Sequence, residues 1–313
     1  MLHVLGIDVG GTKTVCLLAD EKGQVVSRSR GGGANLQGMG ELQVEKVLHE
    51  VMEDAIGARD IVPAIICVGI AGVDRQDDFE VVRGIMRRIG RKARVLVVND
   101  ALIALEAGAP GQAGVVVISG TGSIAYGRNA ENLAARSGGW GYVLGDEGSG
   151  YWIGRAALRA VLRAADHRGP ATVLTDLLLE RFHVSQPQAL LREVYQQQAK
   201  PAALAALASA VHTAFSQGDQ AAIGILRSAA NELEGSALSV VRRLDLSNEA
   251  FTFILSGSVF RGVSWLEQEL ARRLSVAAPQ SVTKLLDREP AEGAVAFALQ
   301  EAHGAARVPV YKP

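Results

Sequence analysis

The stretch Leu2-His3-Val4-Leu5-Gly6-Ile7-Asp8-Val9-Gly10-Gly11-Thr12-Lys13-Thr14 decides the fold. Residues 2–9 are a nearly continuous apolar run, the pattern of a strand buried on both faces. The turn Gly10-Gly11-Thr12 ends it, and strand-like runs follow at 14–19 and 24–30, separated by Asp20-Glu21-Lys22-Gly23. Three strands with short turns predict an antiparallel meander. The first turn has two readings. One is a hairpin with a Gly-Gly type I′ turn. The other is an anion cradle, because glycine lets backbone N–H groups converge on a phosphate oxygen. Asp8 favours the second reading: a carboxylate ending a buried strand can hold Mg2+ through water, and Thr12 can donate to a phosphate. The stretch is not a Walker A loop, because Thr12 stands where the lysine is needed. It is not a dinucleotide fingerprint either, because a strand follows rather than a long helix.

The arrangement recurs. Gly120-Thr121-Gly122 follows the apolar run 115–119, and strand-like runs at 123–128 and 133–136 come next. Two such turns in one chain suggest two jaws closing on one polyphosphate. Between them lies a glycine-rich loop, 31–40, that carries Asn35. From Glu41 the period becomes helical, with Val44, Val47, Leu48, Val51, Met52 and Ala55 on one face. Strands at 64–70 and 93–98 and helices at 79–89 and 101–107 complete the first half, with Asp100 placed to cap the last helix. The second half reads as mostly helical from Glu147 to about residue 243. A strand at 251–255, a helix at 263–274, a strand at 282–285 and a closing helix at 291–303 follow. The expectation is an α/β fold from a duplicated βββαβα unit, with a helical insertion at about 150–245 and a ligand cleft between the halves. The first domain is expected at 1–110, with the C-terminal helix able to pack back on it, and the second at 111–313.

Asp100 is the candidate catalytic group. It stands at a strand's C-terminal end, facing the cleft. Phosphoryl transfer needs a group to take the acceptor hydroxyl's proton, and one carboxylate can do so while capping a helix. A third small-residue turn, Ser256-Gly257-Ser258, is either a strand-to-helix connection with serine caps or a surface along a base or ribose. The run 138–150 places Trp140 and Tyr142 among glycines with Asp146 and Glu147. Such a loop can hold a sugar, with Asp146 on its hydroxyls and an aromatic ring on its apolar face. The plainer alternative is a loop whose acids begin the next helix, with Glu147 at its N-terminus. The glycines are too many for a simple cap.

The bulk numbers exclude other classes. Lys plus Arg is 32 against Asp plus Glu 33, so no basic excess points to nucleic acid. Cys16 and Cys67 lie in separate apolar runs with no CxxC pair, as buried reduced thiols would. The six histidines show no ligand spacing. The N-terminus enters a strand with no basic region ahead of it, and the uncharged stretches 107–127 and 201–218 are poor membrane spans. A cytoplasmic protein is expected.

The set GIDVGGTKT (6–14), Asn35, VVND (97–100), SGTGS (119–123), GGWGYVLGDEGSGYWIG (138–154) and LSGSV (255–259) resembles the N-acetylglucosamine kinases and the wider BadF/BadG ATPase group, within the actin–hexokinase–sugar kinase superfamily. The likeness runs over nearly the whole chain and keeps the motif order. It implies two RNase-H-like domains, an actin-like ATPase fold, with ATP and Mg2+ in the cleft. By that likeness Gly10, Gly11, Thr12, Lys13, Gly120, Thr121 and Gly122 attend the phosphates, and Gly218, Gly257 and Ser258 lie near the adenosine. Asp100 is the base on the sugar hydroxyl, and Asn35, Gly139, Trp140, Gly141 and Asp146 bind the sugar. The activity implied is ATP-dependent phosphorylation of an amino sugar, foremost N-acetylglucosamine to its 6-phosphate, by a homodimer with no nucleic-acid or membrane partner. Glucosamine or N-acetylmuramic acid as acceptor stays open, as does a sugar-independent ATPase that activates a partner enzyme.

Overall fold

A computed structural model describes residues 2–34, 36–90, 92–195 and 200–312. β1 (His3–Val9), β2 (Lys13–Asp20) and β3 (Val25–Gly32) form the expected meander, with His3 opposite Asp20 and Val9 opposite Thr14. After α1 (Leu36–Met39) and α2 (Glu41–Ile56) come β4 (Ile65–Ile70), α3 (Gln76–Ile89), β5 (Arg94–Val98) and α4 (Asp100–Gly108). β4 pairs parallel with β1, and β5 parallel with β4, so the sheet runs β3-β2-β1-β4-β5.

The second half opens with β6 (Gly114–Ser119), β7 (Ser123–Arg128) and β8 (Leu133–Gly138). Helices follow: α5 (Gly150–Ala165), α6 (Leu174–Phe182), α7 (Leu190–Tyr195), α8 (Pro201–Ala205), α9 (Ala208–Ser216) and α10 (Gln220–Arg243). Then come β9 (Thr252–Ser256), α11 (Ser258–Gly262), α12 (Ser264–Ala277), β10 (Val282–Leu285), α13 (Pro290–Ala302) and β11 (Val310–Tyr311). This sheet runs β10-β9-β6-β7-β8-β11. Without β11 it repeats the strand order of the first. Each half therefore runs βββαβαβα, the expected unit extended by one strand and one helix.

Alternation along the strands builds three cores, because successive side chains point to opposite faces. Val4, Val15, Leu17 and Ala19 face one way; Leu5, Ile7, Cys16 and Leu18 face the other, toward α2 and α3. In β6, Val115 and Val117 face the helices α5 and α10, and Val116 faces inward. The middle core is shared. α4 and α13 lie between the sheets, where Ile103, Val295 and Phe297 meet Val116, Tyr126 and Ile254. Gly293 permits this: a Cβ there would lie 1.9 Å from the Ile103 carbonyl oxygen. Phe297 is fully buried, so truncation to Ala costs about 3–5 kcal/mol. Among the described residues no helix is long and apolar enough to cross a membrane.

One local expectation is corrected and two alternative readings fall. The N-cap of α4 is Asn99, whose Oδ1 accepts from the Ala101 N–H at 2.8 Å, and Asp100 is the helix's first residue. Asparagine caps as well as aspartate does, and here Asn99 holds the extended backbone of a cap. Glu147 does not start a helix; α5 begins at Gly150 and is capped by Ser149, whose Oγ accepts from the Trp152 N–H at 3.1 Å. No serine caps the helix after β9, because Gly257 occupies its N-cap.

Candidate active site

The two glycine-threonine turns leave the C-terminal ends of β1 and β6, strands in the interior of their sheets. Neither Gly10 nor Gly11 has a positive φ, so the first turn is no type I′ hairpin. Instead Gly10 N–H donates to Lys13 O at 2.9 Å, and Gly120 N–H to Gly122 O at 2.9 Å. The turns meet: Thr12 Oγ1 and Thr121 Oγ1 are 2.9 Å apart, although 109 residues separate them. A Cβ at Gly11 or Gly120 would find open space, so the backbone around this contact is accessible. Lys13 is engaged elsewhere. Its Nζ pairs with Glu289 Oε2 at 2.9 Å, and Glu289 Oε1 takes Arg30 at 2.9 Å. Glu289 was missed in the sequence. Its available signal was the start of α13, where Glu289 and Glu292 form a capping box around Pro290.

The acids near the first turn influence one another. Desolvation, then the Asp100 carboxylate, pushes Asp8 up to about 7; Lys13 opposes this and Glu289 adds to it. Desolvation also pushes Asp100 up to about 6, against the Ala101 N–H, with Asp74 adding to the rise. Among the described residues no group of three or more His, Cys, Asp or Glu could cage a metal. A divalent ion beside Asp8 would thus meet at most one further such side chain among the described residues, as Asp100 could supply, and otherwise water or phosphate oxygens. That donor set fits Mg2+, which keeps several waters and relies on substrate phosphates.

The second turn is bound to the 138–150 loop. Ser119 Oγ donates to Gly148 O at 2.8 Å and Ser123 Oγ to Glu147 O at 2.7 Å. Gly150 N–H donates to Gly120 O at 2.8 Å. Asp146, held at φ 57°, accepts backbone N–H groups of Ser123 and Gly141, and burial keeps its carboxyl above the usual value. A Cβ at Gly122 would lie 2.6 Å from Asp146 Oδ2, so a side chain there would displace the Asp146 carboxylate. The third turn lies on the second: a Cβ at Gly257 would be 2.1 Å from Ser119 O. Ser258 begins α11 just beyond. Trp140, between Gly139 and Gly141, is 63% exposed, with the Arg136 guanidinium 4.7 Å from its ring centroid.

Two expected site residues are not tied to this cluster. Gly218, at φ 79°, lies in the turn between α9 and α10, with open space at its Cβ position. Asn35 lies outside the described residues; Ala34 before it donates its N–H to Gly10 O at 3.1 Å. Conversely, the structure brings in Asp74, which accepts from Asn99 Nδ2 at 2.7 Å and Tyr311 Oη at 2.6 Å. No local pattern marked either Asp74 or Tyr311; only the tertiary fold joins them. Cys16 and Cys67 are buried, and burial raises the Cys16 thiol to about 12, as expected of inert thiols.

Comparison with known proteins places the chain among relatives. The N-acetylmuramic acid/N-acetylglucosamine kinase of Clostridium acetobutylicum is 35% identical over 304 residues, 96% of this chain and 99% of that protein. The N-acetyl-D-glucosamine kinase of Dictyostelium discoideum is 33% identical over 311 residues, 94% of this chain and 97% of its own. A solved structure from Chromobacterium violaceum, described as a candidate N-acetylglucosamine kinase, superposes with a TM-score of 0.79 at 26% identity, covering 96% and 99% of the two chains. The BadF/BadG/BcrA/BcrD ATPase family matches residues 5–298. On that match and those identities, this chain belongs to the BadF/BadG/BcrA/BcrD ATPase family.

Proposed function

We propose that the protein transfers the γ-phosphoryl group of ATP to the 6-hydroxyl of N-acetylglucosamine. The observation that carries the reading is the 2.9 Å contact of Thr12 with Thr121, which supports one polyphosphate between two turns. The acceptor comes from the relatives, two of which are named as kinases of N-acetylglucosamine.

The chain works as two lobes, 1–110 and 111–313, with α13 packed against β1. Gly11 and Gly122 offer backbone N–H groups to the phosphates, Gly10 and Gly120 shape the turns through their bonds to Lys13 O and Gly122 O, and Thr12 and Thr121 offer hydroxyls. Lys13 supplies positive charge beside them, shared with Glu289. Gly257 and Ser258 flank the nucleoside, and Gly218 is assigned to it by the family likeness alone. Asp8 would hold Mg2+, and the ion would offset phosphate charge. Asp146 and Trp140 hold the sugar, with Gly139 and Gly141 beside them; Asn35 is assigned to the sugar by the family likeness. Asp100 accepts the proton of the attacking hydroxyl. Its raised proton affinity, about 6, suits a base that is ionised at neutral pH yet willing to take a proton. Closure of the lobes excludes water, the competing acceptor. The working form is a cytoplasmic homodimer.

The position of transfer is tested by phosphorus and carbon NMR of the product made from ATP, Mg2+ and each of N-acetylglucosamine, N-acetylmuramic acid and glucosamine. A phosphomonoester at C6 of N-acetylglucosamine is expected. A product phosphorylated at C1, or formed from glucosamine alone, would sink the assignment.

A further inference from the structure

Asp74 lies outside every motif the functional reading uses, yet its carboxylate joins several segments. It stands in the turn between β4 and α3, beside the first sheet. Its Oδ2 accepts from Asn99 Nδ2 at 2.7 Å, and Arg136 Nε of β8 lies 3.5 Å from the same oxygen. Its Oδ1 accepts from Tyr311 Oη of β11 at 2.6 Å. Asn99 and Asp74 attend the first sheet, whereas Arg136 and Tyr311 belong to the second. The carboxylate therefore bridges the two.

The bridge leads to Asp100. Asn99 uses its Oδ1 to accept the Ala101 N–H at 2.8 Å, and Asp100 Oδ1 shares that N–H at 3.0 Å. A side-chain amide is planar, so fixing Nδ2 on Asp74 also fixes Oδ1 on the first turn of α4. Tyr311 is anchored in turn. β11 pairs parallel with β8, Tyr311 opposite Ala134, and Lys312 N–H donates to Ala134 O at 2.8 Å. The Tyr311 ring meets Tyr126 edge-on, with centroids 6.1 Å apart. Desolvation and the Asp74 charge raise the Tyr311 hydroxyl above its ordinary value, so it remains a donor.

We propose that Asp74 is a positioning residue for Asp100, acting through Asn99, and that Tyr311 holds Asp74 in place across the cleft. The proposal rests on the reading of Asp100 as the proton acceptor. A charged acceptor with several donors makes strong, directional hydrogen bonds. Removing one donor lets the Asn99 amide turn and loosens the start of α4.

The test uses the full chain with ATP, Mg2+ and N-acetylglucosamine, and two conservative variants. Tyr311→Phe keeps the ring and removes the donor; Asp74→Asn keeps the shape and removes the charge. Tyr311→Phe should lower kcat about 3- to 10-fold and Asp74→Asn about 10- to 100-fold. The KM for ATP should hold in both, and amides 99–104 should exchange hydrogen faster. That split separates positioning from a general loss of folding, which would move both constants. Undiminished kcat in both variants, or unchanged exchange at 99–104 in both, overturns the proposal while the unaltered protein still turns over. No sugar phosphorylation by the unaltered protein overturns the functional reading and this inference with it.

Discussion

Thr12 and Thr121 share a hydrogen bond of 2.9 Å between turns that lie 109 residues apart. Each hydroxyl has one hydrogen, so while the bond lasts only the accepting threonine can donate to a phosphate oxygen, and a polyphosphate that takes both hydroxyls replaces the contact. Thr12→Ala and Thr121→Ala should each raise the KM for ATP about 3- to 10-fold, the range of one net hydrogen bond. Because the two share a contact, the double variant should lose less than the product of the single losses. Steady-state kinetics on the three proteins checks this, and a strictly multiplicative loss would mean that the turns act independently.

Asp100→Asn should lower kcat by about 10²–10⁴, the span of a single acid–base group. The KM for ATP should change little if, as proposed, the carboxylate serves the acceptor. Turnover close to normal would remove Asp100 from the proton transfer.

Acid should affect activity and stability in opposite directions. Asp100 titrates near 6, so kcat should fall as pH drops below that value. Stability follows the other sign. Asp8 is raised from 3.8 to about 7, so the folded chain binds its proton more tightly than the unfolded chain does. Its contribution favours folding at low pH and is lost as pH rises through 7. Asp8→Asn, which never ionises, should therefore raise the Tm at pH 8, by about 2–4 kcal/mol of stability, and change little at pH 4. Thermal melts of the ligand-free protein at both pH values decide it; an equal gain at both would contradict the titration.

Trp140→Ala should raise the KM for the sugar about tenfold, near 1.4 kcal/mol, and leave the KM for ATP in place. The exposed indole, backed by Arg136 at 4.7 Å, offers a flat apolar face in the same loop as Asp146. An equal effect on both substrates would separate Trp140 from the sugar.

The sheets were legible because alternation and glycine turns are local. Val4 to Val9 and Val115 to Ser119 carry their strand character in their own residues. Caps were less legible. Asn99 and Asp100 are both good caps, and backbone dihedrals rather than composition choose between them. The roles of Ser119 and Ser123 as donors to the 147–148 carbonyls were hidden, since a small-residue turn looks alike whether it binds a ligand or a neighbouring loop. Asp74, Tyr311 and Glu289 were invisible for a different reason. Their partners lie 237, 25 and 276 residues away in Tyr311–Asp74, Asn99–Asp74 and Lys13–Glu289, and no local pattern encodes such distances.

The central claim is that phosphate passes from ATP to an amino sugar rather than to water. ADP formation, measured with Mg2+-ATP in the presence and absence of N-acetylglucosamine, tests it most directly. The account predicts slow release without sugar, a rise of about a hundredfold or more with it, and loss of that rise in Asp100→Asn. The same rate with and without sugar would contradict it.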